Sequence, residues 1–269
     1  MKTELQLQRS FEYNTANLIA ALSFYGVREQ RRGMTLVTAP VGHSAFNVAV
    51  IDAMARDDAD LLFRVHEASE HFQALGRGWN LYACEDMLDS RTARRLDLLL
   101  DEMGMMRILD APGMEADELE APLHKLPELQ YEPVSTARTR LAFTGLVSIA
   151  FHVPYETAKV LYLPEERWRP EEHFHTALQG WVGYLDGSPV TCSATMEHAG
   201  ALGIYSVATL KEYRRHGYAE AVVRHAVEEH VRLAGYSGPL VLQSTPEGRR
   251  LYRAMGFRRT TRFAVYSTF

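Results

Sequence analysis

The segment KEYRRHGYA, residues 211–219, sets Arg214, Arg215 and His216 directly before Gly217, then adds Tyr218 and the small Ala219. Arginines grip phosphate through charge-assisted hydrogen bonds, and a glycine lets the backbone approach a ligand closely or take a positive φ. Together they suit a diphosphate. The same residues also make an ordinary solvated turn, so the flanking elements must decide. Elsewhere, Tyr252 offers a phenol able to donate a proton, and Glu197, His198 and Tyr205 offer groups able to take one. His173, His175, Glu171 and Glu172 form a loose cluster that reads as solvated loop rather than a metal site.

The elements around this segment follow from hydrophobic periodicity. Before it, GIYSVAT (203–209) reads as a strand. After it, apolar residues at 219, 222, 223, 226, 227, 231 and 234 trace one face of a helix from about Gly217 to Ala234. A strand, a loop and a helix N-terminus in that order make an anion site from backbone alone. The first helical amides lack internal partners, and the helix dipole favours negative charge there. The same reasoning predicts helices over 5–25, 60–75, 90–103 and 136–150, a further helix from about 154, and strands over 34–38, 45–50, 79–84, 176–185, 189–196, 239–244 and 262–268. Asp186-Gly187 joins two strands as a hairpin turn. Ser90 is read as an N-cap, and Thr245-Pro246 as the cap and first position of a short helix ending at Gly256.

Composition limits the function classes. The chain has 269 residues, 46% hydrophobic and 23% charged, with a net charge of −5. That is globular composition, and the acidic balance speaks against general nucleic-acid binding. Two cysteines without a CxxC spacing suggest neither a disulfide framework nor a zinc site. The N-terminal stretch is too polar for a signal peptide, and no apolar run reaches membrane length, so a cytoplasmic protein with no membrane association is expected.

A proline-rich stretch over 118–133 divides the sequence, giving regions 1–126 and 127–269. The first is acidic and the second slightly basic. Each contains a long helix, a short strand and a second helix ending in Met-Gly (LLLDEMGM, 98–105; RLYRAMGF, 250–257), then an extended arm. This order reads as a duplication whose first copy lacks the Arg-x-x-Gly-x-Ala stretch and has Leu100 where the second has Tyr252.

VATLKEYRRHGYAEAV resembles motif A of the GNAT superfamily of N-acetyltransferases, Arg/Gln-x-x-Gly-x-Gly/Ala, with Arg214, Gly217 and Ala219 at the signature positions. STPEGRRLYRAMGFRR resembles the motif that follows it, through Leu251, Tyr252, Gly256 and Phe257. The resemblance covers about 130–269, and the chain is similar to members with a degenerate GNAT-like half in front. It implies an α/β fold of GNAT type, a mixed central sheet flanked by helices, in both halves. It implies acetyl-CoA as cosubstrate, no metal, and acetyl transfer to an amine, small-molecule or peptide, in a ternary complex. The pyrophosphate would sit on the amides of Arg215, His216, Gly217, Tyr218 and Ala219. The pantetheine would pair with strand 204–209 through Val207, Ala208 and Thr209, one amide there polarising the thioester carbonyl. Many members have an asparagine seven residues before the tyrosine; Thr245 stands there and is retained as a donor contact.

By the same resemblance Tyr252 is the general acid, while Glu197 is the favoured base. Two other readings remain: an acyl-CoA-binding sensor or scaffold without turnover, and transfer of another acyl group. A homodimer is compatible with all of them.

Overall fold

The computed structural model describes residues 4–168 and 178–268, so His173, His175, Glu171 and Glu172 lie outside the described residues. Two compact units form. The first takes the chain up to Glu115 together with Gln243–Arg249 and the segment from Arg258; the second takes Ala116–Leu242 and Arg250–Phe257.

In chain order the elements are α1 (Glu4–Ser23), β1 (Val27–Arg31), β2 (Met34–Thr38), β3 (Val48–Ile51), α2 (Asp58–Ala74), β4 (Asn80–Cys84), α3 (Ser90–Asp101) and β5 (Met105–Ala116). Then follow β6 (Gln130–Pro133), α4 (Ala137–Phe151), α5 (Tyr155–Tyr162), β7 (Gln179–Leu185), β8 (Ser188–His198), β9 (Ala201–Thr209), α6 (Tyr218–Ala234), β10 (Leu240–Gln243), α7 (Arg249–Ala254) and β11 (Arg258–Thr268).

In the first unit the strand order is β1-β2-β3-β4-β11-β5. Only β3 and β4 run parallel there; the other neighbours are antiparallel. The β3 run VAVI is wholly buried, as expected for a strand covered on both faces. Phe72 of α2 stacks on Trp79 with ring centroids 5.3 Å apart. The last strand, read from sequence as the end of the second half, pairs with both β4 and β5 in the first unit. Sequence alone carries no signal for this partnership, because β11 would be equally apolar beside other strands.

In the second unit the order is β10-β9-β8-β7-β6, with β10 parallel to β9 and the rest antiparallel. The Asp186-Gly187 turn has positive φ at both residues (49° and 78°), which matches the right-handed twist of a two-residue hairpin. Alternate residues of β7 and β8 face opposite sides. Gly180 is small because a Cβ there would lie 2.7 Å from Trp168, which packs edge-on against Phe143 of α4. On the other side, Gln179, Trp181 and Glu197 meet α6 through His225 and His230.

Some boundaries differ from expectation. The segment 44–46 forms a 3₁₀ turn and not the start of β3, and Val27–Arg31 is an additional strand. The cap of α3 is Asp89, whose carboxylate accepts from the Arg91 and Thr92 amides; Ser90 is already helical. Thr245 caps a turn through Gly248 N–H (3.3 Å), and the helix begins only at Arg249.

His225 lies flat on Tyr131 (4.0 Å, 9°) with Trp181 at its edge (4.5 Å), tying α6 to β6 and β7. Its Nε2 is buried without a partner. Burial pushes its pKa down against the opposing charge of Glu229. A depressed folded-state pKa means that the unfolded chain binds the proton first, so stability present above about pH 6.5 is lost as pH falls below it. Thermal unfolding should therefore show a midpoint that drops on acidification through this window. His225→Phe, which keeps the stack and cannot titrate, should flatten that dependence; an unchanged slope would refute the assignment.

Candidate functional site

The β9–β10 pairing is brief. Leu202 and Gly203 align with Leu240 and Val241, and Leu202 N–H donates to Pro239 O (3.0 Å). β9 then continues to Thr209 with no further β10 partner among the described residues. Its opposite edge stays paired with β8 up to Thr191↔Thr209. A buried strand becomes half-exposed at Tyr205, Ser206 and Val207, leaving one edge's amides and carbonyls able to pair with an extended ligand.

That opening coincides with a β-bulge. The register steps from Cys192↔Ala208 to Ala194↔Tyr205, so Ser206 and Val207 both oppose Ser193. Ser206 takes φ of 50°, a left-handed conformation that costs energy in a non-glycine residue. Cys192 Sγ donates to its carbonyl at 3.4 Å, and Thr191 Oγ1 donates to Ala208 O at 2.8 Å. A bulge leaves an extra residue out of the ladder and re-aims its backbone groups.

The loop after β9 has the form the sequence suggested. Arg214 Nε donates to Thr209 O (3.1 Å), so this arginine secures the loop to the strand end. Arg215 (φ 66°) and Gly217 (φ 83°) are both left-handed, a backbone pattern that turns amides toward a common concavity. Gly217 caps α6 without any side-chain hydrogen bond, and the first helical bond runs from Ala221 N–H to Gly217 O (2.9 Å). The amides of Tyr218, Ala219 and Glu220 thus lack a side-chain cap. Arg214, Arg215 and His216 are exposed, and His216 Nδ1 lies 3.4 Å from Tyr213 O. Pro127 borders Gly217: its Cδ would sit 3.1 Å from a Cβ placed there. Sequence reasoning saw Pro127 only as linker punctuation.

Val207, Ala208, Thr209, Arg214, Arg215, His216, Gly217, Tyr218 and Ala219 therefore form one continuous strand, loop and helix start. Thr245 belongs to the first unit. Tyr252 is buried in α7, with its ring edge-on to Phe257 at 5.9 Å. Burial pushes its phenol well above its ordinary range, so it stays protonated at any physiological pH. Glu197 aligns with Leu202 and accepts from His230 Nε2 at 2.8 Å; His230 Nδ1 faces Gln179 Oε1 at 3.2 Å. Neither His230 nor Gln179 was singled out from sequence, since each joins Glu197 only through strand register and a helix crossing. Among the described residues no cluster of His, Cys, Asp and Glu could hold a metal, and no helix is long and apolar enough to cross a membrane.

Residues 175–259 match the family model described as an acetyltransferase (GNAT) domain. Over that segment the chain is similar to a GNAT domain. A GCN5-related N-acetyltransferase from Kribbella flavida has a similar structure, with a TM-score of 0.72, 16% identity, and coverage of 96% of this chain and 95% of that one. A GCN5-related N-acetyltransferase from Sphaerobacter thermophilus gives 0.59 and 17%, covering 96% and 91%. A tandem GNAT protein from the clavulanic acid biosynthesis pathway gives 0.58 and 12%, covering 99% and 95%. No curated protein sequence matches.

The two units can be compared element by element. α2 and α6 each have 17 residues, each lies between parallel strands, and α3 and α7 each lead to a left-handed glycine, Gly104 or Gly256. The loop before α2, however, is filled by its own side chains. Asp57 caps the helix by accepting from Asp60 N–H (2.8 Å), and Asp60 reaches back to accept from Arg56 N–H (3.1 Å). Arg64 donates to Gly33 O, Ala53 O and Met54 O at 3.0, 2.7 and 2.8 Å. Burial opposes the Asp60 charge, but the Arg56 amide and the Arg64 guanidinium hold its carboxyl below the usual range. The first half has spent its helix N-terminus on carboxylates, whereas the GNAT domain has not.

Gly217→Val tests the loop. A β-branched residue at this φ is strained by about 1–2 kcal/mol, and its side chain must displace Pro127. CoA affinity measured by calorimetry should fall about tenfold or more, while Arg232→Ala, on the exposed side of the same helix, should leave it unchanged.

Proposed function

We propose that residues 127–269 act as an N-acetyltransferase domain that takes acetyl-CoA as donor and an amine as acceptor. The observation that carries this reading is the open β9 edge running directly into a left-handed loop and an uncapped helix N-terminus. The donor has the chemistry to match: amide groups for a strand edge and a diphosphate for helix amides. Acetyl-CoA supplies an activated acetyl thioester.

The chain's own residues do the rest. The amides from Arg215 to Ala219 neutralise the diphosphate. The edge at Val207 and Thr209 aligns the donor arm, and the Val207 amide at the bulge polarises the thioester carbonyl as an oxyanion hole does. As the amide C–N bond forms and the C–S bond breaks, Tyr252 gives its proton to the departing sulfur, and the proton shed by the acceptor nitrogen is relayed back to the tyrosinate, so that the net products are the amide and the free thiol. Burial keeps the phenol protonated, so its proton is in place when the sulfur departs. The ammonium form of the acceptor, with a pKa near 10.4, must lose a proton before attack.

Glu197, held by His230, takes that proton through water, because roughly 15 Å of strand separates its register position from the bulge at about 3.3 Å per residue. Both cysteines are free and buried, in keeping with a reducing cytoplasm.

An acetyl-CoA turnover assay over a panel of small amines and peptides tests the activity; CoA binding without turnover on any of them would favour a sensor instead. With an acceptor in hand, Tyr252→Phe should lower kcat on the order of tenfold with KM for the donor little changed, the modest size reflecting a thiol that leaves readily. An unchanged kcat would remove Tyr252 from the chemistry. Glu197→Gln should shift the acidic limb of the pH–rate profile, and a superimposable profile would exclude Glu197 as base.

A further inference from the structure

Position N3 of α6 is a carboxylate, Glu220, at the helix end where the proposed donor places its diphosphate. A glutamate at N3 ordinarily folds back onto the amides at the start of its own helix. Were it to do so here, it would compete for the donors an anion needs and set like charge beside the anion. The chain contains that arrangement once already: at N3 of α2, Asp60 reaches back to the Arg56 amide, and Asp57 takes the Asp60 amide.

In α6 the carboxylate is drawn the other way. Arg224, one turn further along, donates from both Nε (2.9 Å) and Nη2 (2.7 Å) to Glu220 Oε1. The pair is sheltered, with side chains 9% and 17% exposed, so solvent screens it less than an ordinary surface pair. In α2 the corresponding Arg64 also donates to Asp60 Oδ2 (2.6 Å), the oxygen that accepts from Arg56 N–H, and its other donors go to loop carbonyls. There the arginine reaches into the loop and the carboxylate keeps its backward contact; in α6 both arginine donors go to the carboxylate.

We propose that Arg224 is a positioning residue of the donor site: it neutralises Glu220 and holds it away from the α6 N-terminus, keeping those amides free for the diphosphate. This rests on the donor-site reading above. Arg224 need not touch the ligand; its effect runs through one carboxylate, so removing that carboxylate should make Arg224 dispensable.

The test is a double-mutant cycle on the full chain, with CoA as probe, calorimetry at low ionic strength and thermal unfolding as a check on the fold. Arg224→Met should weaken CoA binding about tenfold. Glu220→Gln, which keeps an acceptor for Arg224, should bind CoA at least as tightly as the wild type. Glu220→Gln with Arg224→Met should return to within about threefold of the wild type. An Arg224→Met protein that binds CoA normally overturns the proposal, and so does a loss that the second substitution fails to repair. If Arg224→Met does not fold, the double variant and Glu220→Gln still decide: equal affinities support the proposal, and a persisting Arg224 effect refutes it. Wild-type protein that binds no CoA would remove the donor reading itself, whereas normal wild-type binding with an unmoved Arg224→Met would remove only this inference.

Discussion

The two-residue parallel contact between Leu202–Gly203 and Leu240–Val241 is the constraint on which the GNAT domain's site depends. A parallel pair held over its whole length would satisfy every backbone group of β9 and leave nothing for a ligand. Here the β10 pairing ends at Gly203, and β9 is half-buried from Tyr205 to Val207. β8 holds the opposite edge throughout, so β9 can stay extended without a second neighbour. The bulge at Ser206–Val207 falls within the half-open stretch, where twist and an unpaired amide cost least. Arg214 then fixes the direction of the loop by bonding the carbonyl of Thr209, the last residue of the strand.

The two units share an arrangement of elements and differ at their helix starts. Both keep a parallel strand pair, a 17-residue helix between its members and a short helix ending at a left-handed glycine. Their helix N-termini differ in who satisfies the amides. In α2 the answer is built in: Asp57 and Asp60 accept, and the Arg64 guanidinium lies beneath them against left-handed Gly33, where a Cβ would force it to move. In α6 the cap is glycine, and the one nearby carboxylate is occupied elsewhere. A helix start exposes the same orphan groups wherever it occurs; the difference lies in the cap, an extended Asp57 with a carboxylate against a left-handed Gly217 with none.

Much of this was legible from sequence because it is local. The apolar stripe from Ala219 to Ala234, the Asp186-Gly187 turn and the Met-Gly helix ends each depend on residues within a few positions of one another. The strand–loop–helix order that singled out Arg214, Gly217 and Ala219 is of the same kind. What escaped depends on distant segments meeting. The pairing of β11 with β4 and β5 could not be read from an apolar strand that suits many neighbours. Pro127 beside Gly217, and His230 between Glu197 and Gln179, arise from register and helix placement that periodicity does not encode. The Glu220–Arg224 spacing was visible as an ordinary helical i,i+4 pair; its meaning required knowing that Gly217 leaves the helix end uncapped.

The placement of Glu197 and Tyr252 separates two demands that sequence proximity tends to merge. Glu197 stands beside the closed end of the β9–β10 fork, where Leu202 is still paired, and its carboxylate is already engaged by a buried imidazole. A carboxylate so held is fixed in position and reaches the bulge only through intervening solvent. Tyr252 is the reverse case: it is sealed from water, and burial makes its phenol a poor acid toward solvent. Such a group holds its proton until a charge appears next to it that solvent cannot relieve, and a leaving thiolate is a charge of that kind. In the proposed mechanism, proton uptake by Glu197 would run through water at the fork, and proton delivery would come from the buried Tyr252 of α7.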